Sequence, residues 1–283
     1  MNILAGQLIL PLLACSILCS TSANAQPDGR LRGTGGVSSV SGAGGGGLTP
    51  WATLTSYATR DAWGGSAFAS HVSVDDYTLD IAGIGVNLHD RVELSYARQK
   101  FHIKASDAAI RQDSAGVKLR VAGDILYGST PQIVLGVEHN ALRDPASALA
   151  AGARATEGAD VYISAARAWI AGPAARTTLV NISARHSRAN QFGLLGYGGD
   201  DQGGKVHLEA AVAIFLSRGL AVGAEYRQKP DNLSAQTEND AFDVFVSWFP
   251  DKRLSLTGAW VMLGDVAGDP DQSGFYLSLQ GTF

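Results

Sequence analysis

From residue 63 to the carboxyl end the chain alternates between apolar and polar side chains. Val206, Leu208, Ala210, Val212 and Ile214 interleave with His207, Glu209 and Ala211. Phe242, Val244, Val246 and Trp248 interleave with Asp243 and Ser247. A period of two marks a strand with one oily and one wet face. Twelve such stretches are predicted, at 64–74, 76–88, 91–102, 113–122, 131–141, 159–170, 177–189, 205–216, 220–229, 240–249, 254–263 and 274–283. Most have the length that a tilted membrane strand needs. Their connections alternate between short (89–90, 171–175, 217–219, 250–253) and long (142–158, 190–204, 230–239, 264–273). The final stretch, Phe275 to Phe283, sets Phe275, Leu277, Leu279 and Gly281 against Tyr276, Ser278, Gln280 and Thr282.

No stretch beyond residue 25 approaches the roughly 18 apolar residues of a membrane helix. The longest apolar run, Ala210 to Leu216, is bounded by Glu209 and Ser217. Apolar residues spread over alternate positions instead predict an all-β fold, a transmembrane antiparallel β-barrel of about twelve strands. Residues 1–25 read as a signal peptide, with an apolar segment from Leu8 to Leu18 and a cleavage signal at Ala23-Asn24-Ala25. Both cysteines, Cys15 and Cys19, lie within it, so the exported chain depends on strand pairing and burial rather than on disulfides. A barrel meets that demand by leaving no open edge.

A leader rich in glycine follows at 26–62. Its core, Gly33 to Gly47, has no lysine after the glycines and no strand before them, which argues against a phosphate-binding loop. It reads either as a flexible linker or as a close-packed segment in the barrel mouth or lumen. Thr49 to Thr59 is strand-like, and either adds to the barrel, giving fourteen strands, or lies inside it.

Parity separates the two faces. Charge on a lipid-facing position costs a few kcal/mol, so Glu93, Lys118, Arg120, Glu138, Arg185, Glu209, Glu225, Arg227 and Asp243 are expected to line the lumen, with Asp80 added by the same rule. Either these charges pair and pack the lumen shut, or they line a narrow wet pore. Trp169 and Trp248 at one end, with Trp260, Tyr226 and Tyr77 at the other, suggest two interfacial girdles.

The net charge of −4 gives no basis for nucleic-acid binding. His71, His89, His102, His139 and His207 lack metal-binding spacing, and no cofactor is implied. Asp75-Asp76 reads as a tight turn, and Gly199-Asp200-Asp201 as another, with an outer-loop calcium contact as the sharper alternative. A membrane-embedded lipid hydrolase needs a serine hydrogen-bonded to a histidine. His186 and Ser187 are the best local pair, but neighbours on a strand point to opposite faces. The chain is therefore not expected to be an enzyme.

Gly47-Leu48-Thr49-Pro50-Trp51, Val74-Asp75-Asp76-Tyr77 and Asp90 to Gln99 resemble a family of proteobacterial outer-membrane proteins built on a domain of unknown function. That resemblance implies a porin-like barrel in the bacterial outer membrane and supplies no catalytic residues. The barrel is expected over 63–283, as a passive channel for small hydrophilic solutes. A non-conducting surface-interaction barrel is the alternative, and a lipid hydrolase the third reading. Expected partners are outer-membrane lipid, small solutes and the barrel-insertion machinery. Phe275, Leu277, Leu279 and Phe283 are expected to form the assembly signal that this machinery reads. The shape of a closing strand with a terminal aromatic residue, like that of known outer-membrane barrels, suggests it.

Overall fold

Alternation along each strand becomes a closed sheet. A computed structural model describes residues 32–106, 108–200, 203–233 and 238–283; the signal peptide expected at 1–25 lies outside the described residues. Two short strands, β1 (Val37–Ser38) and β2 (Gly44–Gly45), pair only with each other. Twelve long strands follow: β3 (Trp63–Val74), β4 (Tyr77–Leu88), β5 (Val92–Ile103), β6 (Ala108–Ala122), β7 (Gln132–Leu142), β8 (Glu157–Trp169), β9 (Thr177–Ser187), β10 (Lys205–Ser217), β11 (Leu220–Arg227), β12 (Ala241–Trp248), β13 (Leu254–Val266) and β14 (Asp269–Thr282). Each pairs antiparallel with its sequence neighbours, and β14 returns to β3, so the barrel has twelve strands and no edge. The segment at 49–59 adds none; it lies inside the barrel, where the residues from Thr49 to Ser56 are buried.

The seam is sealed at the carboxyl end. Gly65 and Phe283 exchange backbone hydrogen bonds of 2.8 and 3.0 Å. The Phe283 ring lies where a Cβ on residue 65 would stand, 2.5 Å from its nearest atom. Any larger residue at 65 would require that ring to move. Phe275, Leu277 and Leu279 point outward from β14, each at least two-fifths exposed.

The outer face carries a belt of exposed apolar side chains, including Leu94, Val117, Leu135, Val161, Ile182, Leu208 and Val244. Water would penalise such a surface, and hydrocarbon does not. Trp63, Trp169, Trp248 and Trp260 are about half-exposed on this face. Tyr77 is a correction to the expected girdle: it is buried in the lumen. Asp80 is a second correction. It faces outward and is hydrogen-bonded to His71 at 2.7 Å, both being exposed. Along the same register, Asp80 opposes Lys100 and Lys100 opposes Arg111. This row of charge marks where the apolar belt stops.

The two rims differ. At the rim that carries both Trp63 and Phe283, the turns at 89–91, 170–176, 218–219 and 249–253 are short, while 123–131 is longer. At the opposite rim the connections 143–156, 188–204 and 228–240 are long, and their described residues lie on the side of β7–β12, whereas β3–β4 and β5–β6 are joined by short connections. The connection predicted at 264–273 is mostly strand. β13 and β14 continue pairing to Val266↔Asp269, with register shifts around Gly264, and only 267–268 are left as a turn. Its glycines mimic a loop in the sequence; here Gly264 takes a positive φ of 62° to admit a bulge against Asn239.

Candidate functional site in the barrel lumen

A wall of twelve tilted strands encloses more space than its own side chains fill. Here the chain fills that space itself. Residues 32–62 enter at the rim of Trp63 and Phe283, turn back through the β1–β2 ribbon and run out to β3. Every residue from Ser41 to Ser56 is buried. The glycines make this approach close enough. A Cβ on Gly45 would stand 2.4 Å from the Trp51 nitrogen, and one on Gly46 would overlap the Glu225 carboxylate.

The inner wall grips this segment mainly through its backbone. On one side Glu93 accepts from Gly44 N at 2.8 Å and from Thr55 N at 2.6 Å. Lys118 lies 3.4 Å from Glu93 and donates to the carbonyls of Gly44 and Thr53 at 2.6 and 2.8 Å. Across the lumen, Glu225 accepts from Leu48 N at 2.8 Å, Thr49 Oγ1 at 2.6 Å and Trp51 Nε1 at 2.8 Å. Arg227 donates to the Leu48 carbonyl at 3.1 Å. Asn181 accepts from Ala52 N, Gln132 donates to Ala52 O, and Gln280 accepts from Ser38 Oγ and donates to the Gly36 carbonyl. Trp51 also packs on Phe245, with ring centroids 6.2 Å apart. Short peptide groups that must leave water are thus matched donor for acceptor, as burial demands.

A second cluster stands on β7–β11. Arg185 donates to Glu209 at 2.6 Å, lies 3.6 and 3.5 Å from Glu138 and Asp160, and stacks on the Tyr162 ring at 4.7 Å. Arg227 reaches the same Glu209 oxygen at 3.3 Å. Of the residues predicted as pore-lining charges, Glu93, Lys118, Glu138, Arg185, Glu209, Glu225, Arg227 and Asp243 are all buried and face inward. Asp243 stands beside Glu225 in the sheet register. Arg120 is at the rim instead, paired with Asp90 and with Asp124 at 3.0 Å. Asp160, Gln132 and Asn181 belong with the wall, although their strand parity alone could have placed them there.

The long connections cover the other end. Asn190 donates to the carbonyls of Leu195 and Gly198, pinning the 188–204 loop into a compact shape. Glu238 accepts from Gln191 N, and Lys229 donates to the carbonyls of Leu263 and Asp265 at 2.9 and 2.8 Å. Burial pushes the Glu238 carboxyl up to about 7 against the pull of Lys229. His186 is exposed and Ser187 buried on opposite faces of β9, so the pair forms no catalytic dyad. Among the described residues no group of three or more His, Cys, Asp or Glu has the geometry to hold a metal ion. Asp201 lies outside the described residues.

A closed twelve-strand sheet with an apolar belt and a polar inner wall defines a transmembrane β-barrel of the outer-membrane class. The model of the family described as Protein of unknown function (DUF3034) matches residues 34–280, and the chain belongs to that family. No curated protein matches the chain. Among solved structures it is similar to the KdgM porin in complex with disordered oligogalacturonate, at 10% identity and a TM-score of 0.50, over 77% of this chain and 99% of that one. It is also similar to the Acinetobacter baumannii outer membrane protein Omp33, at 9% identity and a TM-score of 0.45, over 78% and 98% of the two chains. At such identities the likeness is one of fold.

Proposed function

We propose that this barrel is a porin-like channel of the bacterial outer membrane for small hydrophilic solutes, with residues 32–62 as its plug. The carrying observation is what occupies the lumen. Glu93, Lys118, Glu225 and Arg227 hold a chain segment whose two ends lie at one rim, while Arg185 pairs with Glu138, Asp160 and Glu209 along the wall. Removing that segment leaves a polar bore lined by Glu93, Lys118, Glu138, Asp160, Arg185, Glu209, Glu225, Arg227 and Asp243. Short turns face the periplasm in such barrels, which supports a plug that enters from the periplasmic side.

Planar-bilayer recording tests this reading. The full chain should conduct little, and a chain lacking residues 33–58 should conduct several-fold more. The acids outnumber the bases in the emptied bore, so a weak cation preference is expected. It should shrink as salt approaches 1 M, where the Debye length falls to about 3 Å. The continuous burial from Ser41 to Ser56 favours a second reading, a closed barrel whose long loops serve as a binding surface. Absence of conductance and solute flux in both chains would leave that second reading standing. The geometry lends a lipid hydrolase no support.

A further inference from the structure

Above the plug the inner wall changes character. Val72, Tyr77, Phe101, Val261 and Tyr276 point inward from β3, β4, β5, β13 and β14, and Leu195 of the 188–204 loop lies over them. Together they line a cavity whose floor is Val40, Gly47 and Leu48 of the plug. We propose that this cavity is a binding site for a small, uncharged, apolar molecule of the monocyclic-hydrocarbon class.

The aromatic groups are turned to present carbon. Tyr77 and Phe101 stack with centroids 4.8 Å apart, while the Tyr77 hydroxyl is hydrogen-bonded to Asp269 at the rim. The Tyr276 hydroxyl is directed to Ser70. Gln99 donates to the Val40 carbonyl and Gln191 to that of Asp265, so the amide groups at the margin already have partners. Water in such a place gains few hydrogen bonds, and an apolar cavity stays dry and accepts apolar ligands. Asp243 is the one acidic residue of the lining.

On β4–β6 the outer face at this level is Asp80, Lys100 and Arg111, all exposed, with His71 of β3 partly so, whereas β13 and β14 present Trp260 and Phe275. The charged side of the barrel stands clear of the hydrocarbon, and a ligand reaches the cavity from the water outside the loop rim on that side. The site does not require the plug to move. Conductance reads the plug, and ligand binding reads the cavity, so failure of one leaves the other intact.

The test uses the full exported chain in lipid nanodiscs and p-fluorotoluene followed by 19F NMR, with empty nanodiscs as the baseline. A saturable, broadened signal above that baseline is expected. Toluene should displace it and D-glucose should not. Val261→Trp fills the cavity and should remove the signal; Val72→Phe does the same from the facing wall if the first variant does not fold. Val244→Trp, on the lipid face, should leave it unchanged. A signal equal to that of empty nanodiscs, displacement by D-glucose, or full retention in a folded Val261→Trp or Val72→Phe barrel overturns the proposal.

Discussion

The lumen has two regions built on the same strands with opposite chemistry. Toward the rim of Trp63 and Phe283, the wall is charged and the occupant is peptide backbone. Toward the loop rim on β3–β5, β13 and β14, the wall is apolar and the occupant is mostly space. The difference lies in what each region requires to empty. Withdrawing the plug strips Glu93, Lys118 and Glu225 of partners, and each needs water at once to replace them. The apolar region has few such groups, Asp243 being the one acid of its lining, and leaving it vacant costs mainly dispersion contacts. One region is specified by matching, the other by how little there is to match.

The sharpest way to break this contrast is at Glu225. Removing its carboxylate leaves the buried donors Leu48 N, Thr49 Oγ1 and Trp51 Nε1 without their acceptor, at about 1–3 kcal/mol for each group left unsatisfied. Glu225→Ala should therefore free the plug, raising conductance and exposing residues 41–56 to protease in folded barrels. Leu195→Ala in the apolar region should sit at the low end of the roughly 2–5 kcal/mol for such core truncations, since space is already present, and should leave conductance unchanged. A comparable rise in conductance for both variants would erase the distinction.

Gly45→Val should act next most strongly. Its Cβ meets backbone, not a side chain that can swing aside, so the β1–β2 ribbon must shift. Partial protease access and intermittent opening are expected, with weaker p-fluorotoluene binding, because Gly47 and Leu48 form the cavity floor. Phe283→Ala should have a smaller effect, lowering the temperature at which the folded form loses its fast gel mobility by a few degrees while both lumen regions keep their behaviour. The smallest effect is a pH dependence at the loops. Glu238 is held above its ordinary range by burial, so the closed loop binds a proton more readily than the open one. Closure is then favoured at low pH, and the advantage fades as pH rises through about 7. Protection of 188–200 against hydrogen exchange, after correction for the intrinsic pH dependence of exchange, should fall between pH 5 and pH 8, and Glu238→Gln should flatten that fall. Lys229, Asp231, Asp240 and Asp265 surround this region, and none is altered in that variant.

The barrel was legible because the membrane imposes one rule on every strand: apolar outward, polar inward. The same rule misplaced Asp80 and Tyr77, and for one cause. Where β3, β4 and β5 rise above the belt the outside is water, and the pattern inverts to that of an ordinary soluble sheet. Val72 and Val74 then turn inward while His71 turns outward. Period two gives the faces but not the solvent that each face meets. The wall charges were legible by parity. Their partners were not, because a strand pattern does not say whether water, another charge or a peptide group stands opposite. In the leader the clue was what is missing: Gly33 to Thr59 carries no charged residue, which suits close burial better than solvation.

The two ends of the plug lie close together, with the Tyr57 hydroxyl accepting from Gly33 N at 3.1 Å. Its anchors are spread around the wall, on β5 and β6 to one side and β9 and β11 to the other. A pull from the periplasm therefore loads these anchors together, in shear, instead of peeling them in turn. Resistance in that geometry is set by the height of a barrier more than by the depth of a well. Opening would come as rare, abrupt events with long dwell times, and a single-channel record would show steps, not a graded rise.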